Sequence, residues 1–243
     1  NGKISAMGIE WVRYSRSIAL AAGPTAENFR IDASLRQKPP ESFLSPDKVR
    51  EEAASLLVEP PWRRTFLIGP FTGKIDPVLG VLGDNDREFV EAVHQFYEGL
   101  GVGCYSSFKR ENYGRIGIRD KDATLLDKLA IRTSHVLTVL PDSSQSNGVW
   151  EEIRYGGSLG KSFLFLFRRH QEVEFRRTLL MLIANLSTHP FLVFITSESL
   201  PEFFDQMSKV WSYVSKELTE DRNWREYVEA LLAEPEFKRL QDV

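Results

Sequence analysis

Thr65-Phe66-Leu67-Ile68, running into Gly69-Pro70-Phe71-Thr72-Gly73-Lys74, is the stretch that decides the fold. A short apolar, β-rich run that stops at glycine and proline reads as a buried strand feeding a turn. C-terminal to it, the pattern alternates between helix and strand. Asp84 to Leu100 has helical spacing through Phe89, Val90, Val93, Phe96, Tyr97 and Leu100. Val102 to Ser106 reads as a second strand, Ala123 to Ile131 as a short amphipathic helix, and His135 to Leu140 as a buried strand. Trp150 to Leu159 is a helix stopped by Gly160, and Ser162 to Phe167 is a strand. Phe175 to Ile183 is helical, Pro190 to Thr196 is a strand, and Leu200 to Leu218 is a helix.

Continuously apolar strands separated by helices are the mark of a parallel sheet covered on both faces. The expected fold is α/β: a Rossmann-like or flavodoxin-like open sheet of five parallel strands. Ligands of such sheets sit at the carboxyl ends of the strands, which directs attention to the loops after Ile68, Ser106 and Leu140.

On the N-terminal side, residues 1–60 read as an arm. Trp11 to Ala22 is a strand or a short helix. Ser45 caps a helix from Pro46 to about Leu57, and Pro60-Pro61 ends it. Residues 61–200 form the expected catalytic domain and 201–243 a helical extension that includes Trp224 to Leu240.

The chain has 243 residues, 42% hydrophobic and 27% charged, ordinary for a globular protein with a sizeable core. Its net charge of -3 argues against nucleic-acid binding driven by global positive charge. A single cysteine, Cys104, excludes an internal disulfide framework, and the four histidines lack metal-ligand spacing. No apolar run approaches a membrane span. The stretch Ile18-Ala19-Leu20-Ala21-Ala22 is shorter than a secretory core and is broken by Gly23-Pro24. The expectation is a cytoplasmic protein with no metal, no cofactor, and no nucleic-acid or membrane partner.

Three segments lie where chemistry is expected. Gly69 to Lys74 offers backbone amides that can hold phosphate, although it is neither a P-loop nor Gly-x-Gly-x-x-Gly; a plain turn reads equally well. Asp127 lies inside the helix preceding the His135 strand, where an acid is usually solvated. Pro141-Asp142-Ser143-Ser144-Gln145-Ser146-Asn147-Gly148-Val149-Trp150-Glu151-Glu152 follows a strand and opens a helix. Hydroxyls and amides there favour an anion. Simple N-capping by Ser146 or Asn147, with Glu151 and Glu152 complementing the helix dipole, explains the same residues.

Taken together, Gly148-Val149-Trp150-Glu151-Glu152, the following Gly160-Lys161 with its strand, and Asp127 eight residues before His135 resemble the nucleoside 2-deoxyribosyltransferase superfamily. The strand and loop from Phe66 to Gly73 add a third match, so the resemblance covers roughly residues 65–200. It implies that Glu152 is the nucleophile on the sugar anomeric carbon. Asp127 then orients Glu152 or shuttles a proton to the departing base. Gly69, Thr72, Gly73 and Gly148 then lie against sugar and phosphate. Phe71, Arg110 and Tyr113 are the expected base contacts.

Six residues before the nucleophile, the branch that hydrolyses nucleoside 5'-monophosphates carries Ser where transferases carry Asp. This sequence has Ser146 there. A hydroxyl at a helix N-terminus donates to a phosphate that a carboxylate would repel. The resemblance therefore implies a nucleotide N-glycosidase acting on CMP or a modified pyrimidine nucleotide, as a homodimer without a cofactor. Trp150 and Arg154 replace motif glycines, and His135 replaces an acid. Trp150 either walls the site or faces the core, and Arg154 either meets phosphate or lies on the surface. The alternatives are a nucleoside 2'-deoxyribosyltransferase, a TIR-like NAD glycohydrolase and a non-catalytic nucleotide-binding module.

Overall fold

The computed structural model describes residues 3–6, 9–12, 39–58, 64–140, 147–168, 192–197, 199–217, 224–235 and 237. Its centre is the expected parallel sheet. The strands are β1 (Lys3–Ala6), β2 (Ile9–Val12), β3 (Ser42–Phe43), β4 (Arg64–Ile68), β5 (Gly103–Ser106), β6 (Ile116–Gly117), β7 (Val136–Val139), β8 (Ser162–Arg168) and β9 (Leu192–Ser197). The large sheet runs β1-β2-β9-β8-β7-β4-β5. From β9 to β5 every pair is parallel, whereas β1 and β2 add antiparallel to the edge at β9. The sheet is thus the expected five-stranded parallel one extended by a hairpin. β3 pairs in parallel with β6 as a separate two-stranded ribbon.

The described helices are α1 (Pro46–Val58), α2 (Phe71–Lys74), α3 (Asp84–Gly99), α4 (Ser107–Arg110), α5 (Asp120–Arg132), α6 (Asn147–Ser158), α7 (Leu200–Glu217) and α8 (Trp224–Ala233). The expected helix Phe175 to Ile183 lies outside the described residues.

Strand alternation sorts the core into two layers. Phe66, Ile68, Leu137, Val139, Phe163 and Phe165 face α1, α5 and α6. Leu67, Val136, Leu164, Leu166 and Ile195 face α3 and α7. Both faces are buried, which is why the strands read as unbroken apolar runs. α3 presents Val90, Val93, His94 and Tyr97 at helical spacing to its layer. Beneath it, Tyr97 Oη and Thr65 Oγ1 each pair with Thr138 Oγ1, at 2.6 and 2.9 Å.

The helix read into the N-terminal arm packs in the α5–α6 layer through Val49, Ala53 and Leu56. Lys48 N donates to Ser45 Oγ at 3.3 Å, and Arg64 donates to the last carbonyls of α1 at Leu56 and Ser55. Of the C-terminal helices, α7 contributes Phe203, Met207, Val210 and Trp211 to the α3 layer, and α8 contributes Leu231 to the other. No helix among the described residues is long and apolar enough to cross a membrane.

Candidate active site

α4 begins where β5 ends. Ser106 caps it, its Oγ accepting from Lys109 N at 3.2 Å and meeting His94 Nε2 at 2.8 Å. Burial pushes the His94 imidazole down to about 4, so the ring is neutral and serves as a packed polar contact. α4 ends in a kink: Asn112 and Tyr113 have φ of 44° and 54°, and Gly114 follows at 102°. A bulky residue in the left-handed region is rare and costs about 1–3 kcal/mol, so the surroundings must hold it there. Leu82 N donates to Tyr113 O at 2.8 Å, and the Arg87 guanidinium stacks over the Tyr113 ring at 4.7 Å.

This kink sends neighbouring side chains to different layers. Tyr113 joins the α3 layer. Arg110 turns to α5, where Nη1 donates to Asp127 Oδ1 at 2.6 Å. Its Nη2 donates to Glu111 Oε1 at 2.8 Å, and the Arg110 side chain is 1% exposed. Arg110, expected at the base, is placed as a buried ion-pair hub. Phe71 also packs in the α3 layer, edge-on to Phe108 with centroids 5.2 Å apart. The three residues expected at the base are therefore divided. Phe71 and Tyr113 have their rings in one layer, and Arg110 lies against Asp127 near the other.

The loop after β4 is a single helical turn. Phe71 N donates to Gly69 O at 2.8 Å, and Lys74 Nζ pairs with Asp86 Oδ1 at 2.7 Å. A Cβ on Gly69 would lie 2.8 Å from Phe108 Cζ, so glycine there lets the chain pass over that ring. Thr72 and Gly73 fall within the turn.

Glu152 is the sixth residue of α6, in its second turn rather than its first. Val149, Trp150 and Ile153 turn the same helix toward the sheet. Trp150 is a core residue, and Arg154 is exposed. Gly148 is exposed in the first turn, whereas Ser143, Ser144 and Ser146 lie outside the described residues.

Glu152 and Asp127 form one electrostatic unit. The Glu152 carboxyl is pushed well above the usual carboxylate range, first by burial and then by the charge on Asp127. Arg110 opposes the shift and Glu151 adds to it. Burial raises Asp127 too, but its charge and hydrogen bond with Arg110 pull it back. Two neighbouring carboxylates oppose each other's ionisation, and the guanidinium bonds to Asp127 rather than to Glu152. Asp127, with Arg110 at 2.6 Å, is the better-stabilised anion. Tyr105, on β5 opposite Phe66, places its hydroxyl beside Arg110 without a hydrogen bond of good geometry.

Such a site, at the carboxyl ends of β5 and β7, can stabilise developing positive charge, offer a nucleophile and move one proton. Among the described residues no group of acidic, histidine or cysteine side chains is arranged to hold a metal. Tyr105 was not singled out from the sequence, and the pairing of Glu111 with Arg110 is made next to the kink. Ser106, a cap signal directly after a strand, was its one legible cue.

No family model matches this sequence, and no curated protein matches it. Among solved structures, the solution structure of BlsM is similar over 68% of this chain and 99% of its own, at 21% identity and a TM-score of 0.52. The Clostridium botulinum CMP N-glycosidase BcmB aligns over 60% of this chain and 98% of its own, at 16% identity and a TM-score of 0.42. The likeness to BlsM shows the fold, a Rossmann-like sheet with helices on both faces.

Proposed function

We propose that this chain hydrolyses the N-glycosidic bond of a nucleoside 5'-monophosphate, releasing the free base and a sugar 5-phosphate. The observation that carries the reading is the half-buried Asp127, held by Arg110 Nη1 at 2.6 Å, with the Glu152 carboxyl raised by burial and by the charge on Asp127. Cleavage of such a bond passes through an oxocarbenium-like state. A carboxylate near the anomeric carbon stabilises that state and attacks it, while the departing base needs a proton.

In this reading the C1'–N bond breaks with its electron pair going to the base. The proton held by the pair passes through Asp127 to the base, and the Glu152 carboxylate bonds to C1'. Water then attacks C1', the glycosyl ester breaks, and the water's proton returns to the pair. Gly148 in the first turn of α6, and Gly69, Thr72 and Gly73 in the turn after β4, are the proposed sugar and phosphate contacts. The monophosphate preference rests on Ser146 in the sequence, and a homodimer is part of the same proposal.

The test is a panel of ribo- and deoxyribonucleoside 5'-monophosphates, the matching nucleosides, and NAD, with free base followed by chromatography. Release from a monophosphate but not its nucleoside supports the reading and names the substrate. Release from nucleosides only with an acceptor base indicates a transferase, and nicotinamide from NAD indicates a TIR-like glycohydrolase. No release from any member overturns the hydrolase reading.

A further inference from the structure

Arg110 is the cation that the proposed mechanism leaves without a task. Its side chain is 1% exposed, and two of its nitrogens are committed to carboxylates, Asp127 at 2.6 Å and Glu111 at 2.8 Å. A guanidinium so placed has little left to offer a base or a phosphate. Its position is also over-determined: Ser106 caps α4 on one side, and the kink at Asn112–Gly114 closes it on the other.

We propose that Arg110 is a positioning residue for the carboxylate pair: clamped between Asp127 and Glu111 at 2.6 and 2.8 Å, it fixes Asp127 as the resting anion. This rests on the reading of Glu152 and Asp127 as the reacting pair. The residue acts through Asp127 and does not touch the substrate.

Among the described residues, charged and titratable groups around the pair come from five elements. β5 supplies Tyr105, and α4 with its kink supplies Arg110 and Glu111. α5 supplies Asp127, α6 supplies Glu151 and Glu152, and α1 brings Glu52 within range of Tyr105. Among the described residues Arg110 is the cation bonded to Asp127, and the carboxylates Glu111, Glu151 and Glu52 act on it, on Glu152 and on Tyr105. The 2.6 Å bond to Asp127 is how this guanidinium favours one carboxylate of the pair as the anion. Glu111 matters in the opposite sense, because it draws on the same guanidinium and weakens its hold on Asp127.

The consequence for the reaction is an order of events. Asp127 begins unprotonated and can accept the Glu152 proton. As charge develops at C1', Glu152 becomes the anion, and Asp127 carries the proton onward to the base. Without Arg110 the proton would rest on Asp127 in the free protein, and the two roles would no longer be separated.

The experiment is a pH titration of the unliganded protein by carboxyl-carbon NMR, with signals assigned through Asp127→Asn and Glu152→Gln. The same variants are followed in the pH profile of base release. In Arg110→Met, the lower titration step of the pair is expected to rise by at least about one pH unit, a tenfold gain in proton affinity. Arg110→Lys restores most of the difference. Glu111→Gln, an independent variant should Arg110→Met fail to fold, moves the lower step down. Glu151→Gln lowers only the upper step.

A folded Arg110→Met whose titration matches wild type overturns the inference, as does an unchanged lower step in Glu111→Gln. The NMR readout needs no substrate. Titration shifts without base release from the wild-type protein would sink the hydrolase reading and leave the role of Arg110 standing. Base release with unmoved titrations would do the reverse.

Discussion

Gly156 sits so close to Leu137 that a Cβ added to it would lie 2.3 Å from Leu137 Cδ1. Gly156 is one helical turn beyond Glu152 on α6, and Leu137 is in the middle of β7. Contact at that distance brings the helix down onto the sheet and sets the depth at which Glu152 is held. Phe163 Cζ, at 3.2 Å from the same built atom, closes the space from β8.

The Gly156→Ala variant is therefore expected to lift α6 and to destabilise the protein by about 1–3 kcal/mol, as overpacking of a filled core does. Helix propensity alone would give the opposite sign, since alanine is favoured over glycine inside a helix by about 1 kcal/mol. Urea denaturation decides between them, and a stabilised variant would show that the close approach does not constrain α6.

The carboxylate pair makes stability depend on pH in an unusual direction. Most native carboxylates titrate below their unfolded values, but Glu152 is raised, by burial and by Asp127. The folded chain then holds this proton more tightly than the unfolded chain. Its contribution is fully present below the ordinary glutamate value near 4.3 and is lost as pH rises through the folded value. Denaturant unfolding across this range should show stability falling with pH in wild type and a shallower slope in Glu152→Gln. Equal slopes would mean that Glu152 titrates like an exposed glutamate.

Lys161 gives a prediction of the opposite sign. Its Nζ donates to Arg132 O at 2.8 Å and Ser134 O at 2.7 Å, tying the end of α5 to the turn before β8. Burial first, and then the charge of Arg132, push this ammonium down to about 8. Between that value and the ordinary 10.5, the unfolded chain binds more protons, so stability should rise with pH in this window. Lys161→Met should abolish the rise and cost about 1–3 kcal/mol at neutral pH, because Ser134 O loses this donor and Arg132 O is left with Tyr227 Oη at 3.1 Å. Thermal melts at pH 7 and pH 10 test both statements.

The sheet was legible because its strands are buried on both faces, so Phe66–Ile68, Val136–Val139 and Phe163–Leu166 appear as unbroken apolar runs. α3 and α5 were legible from their spacing, and the Ser45-Pro46 start of α1 from cap chemistry. The β1–β2 hairpin was not, because four-residue strands carry little pattern and owe their place to the edge of β9. Glu152 and Asp127 stood out through the family spacing. The ion pair that organises them did not: Arg110 and Asp127 are separated by a kink, a two-residue strand and half a helix. Phe71 and Tyr113, expected at the base, both have their rings in the α3 layer. An aromatic beside a strand end suits a ligand or a core equally well, and here both rings found core partners.

The proposed reaction turns on Glu152 attacking the sugar. The most direct measurement is single-turnover release of free base from the preferred nucleoside 5'-monophosphate, comparing wild type with Glu152→Gln at matched pH and with folding verified. A loss of at least about a thousandfold is expected, the scale seen when a nucleophile is removed. Release within a few-fold of wild type would contradict it and move the reacting group elsewhere.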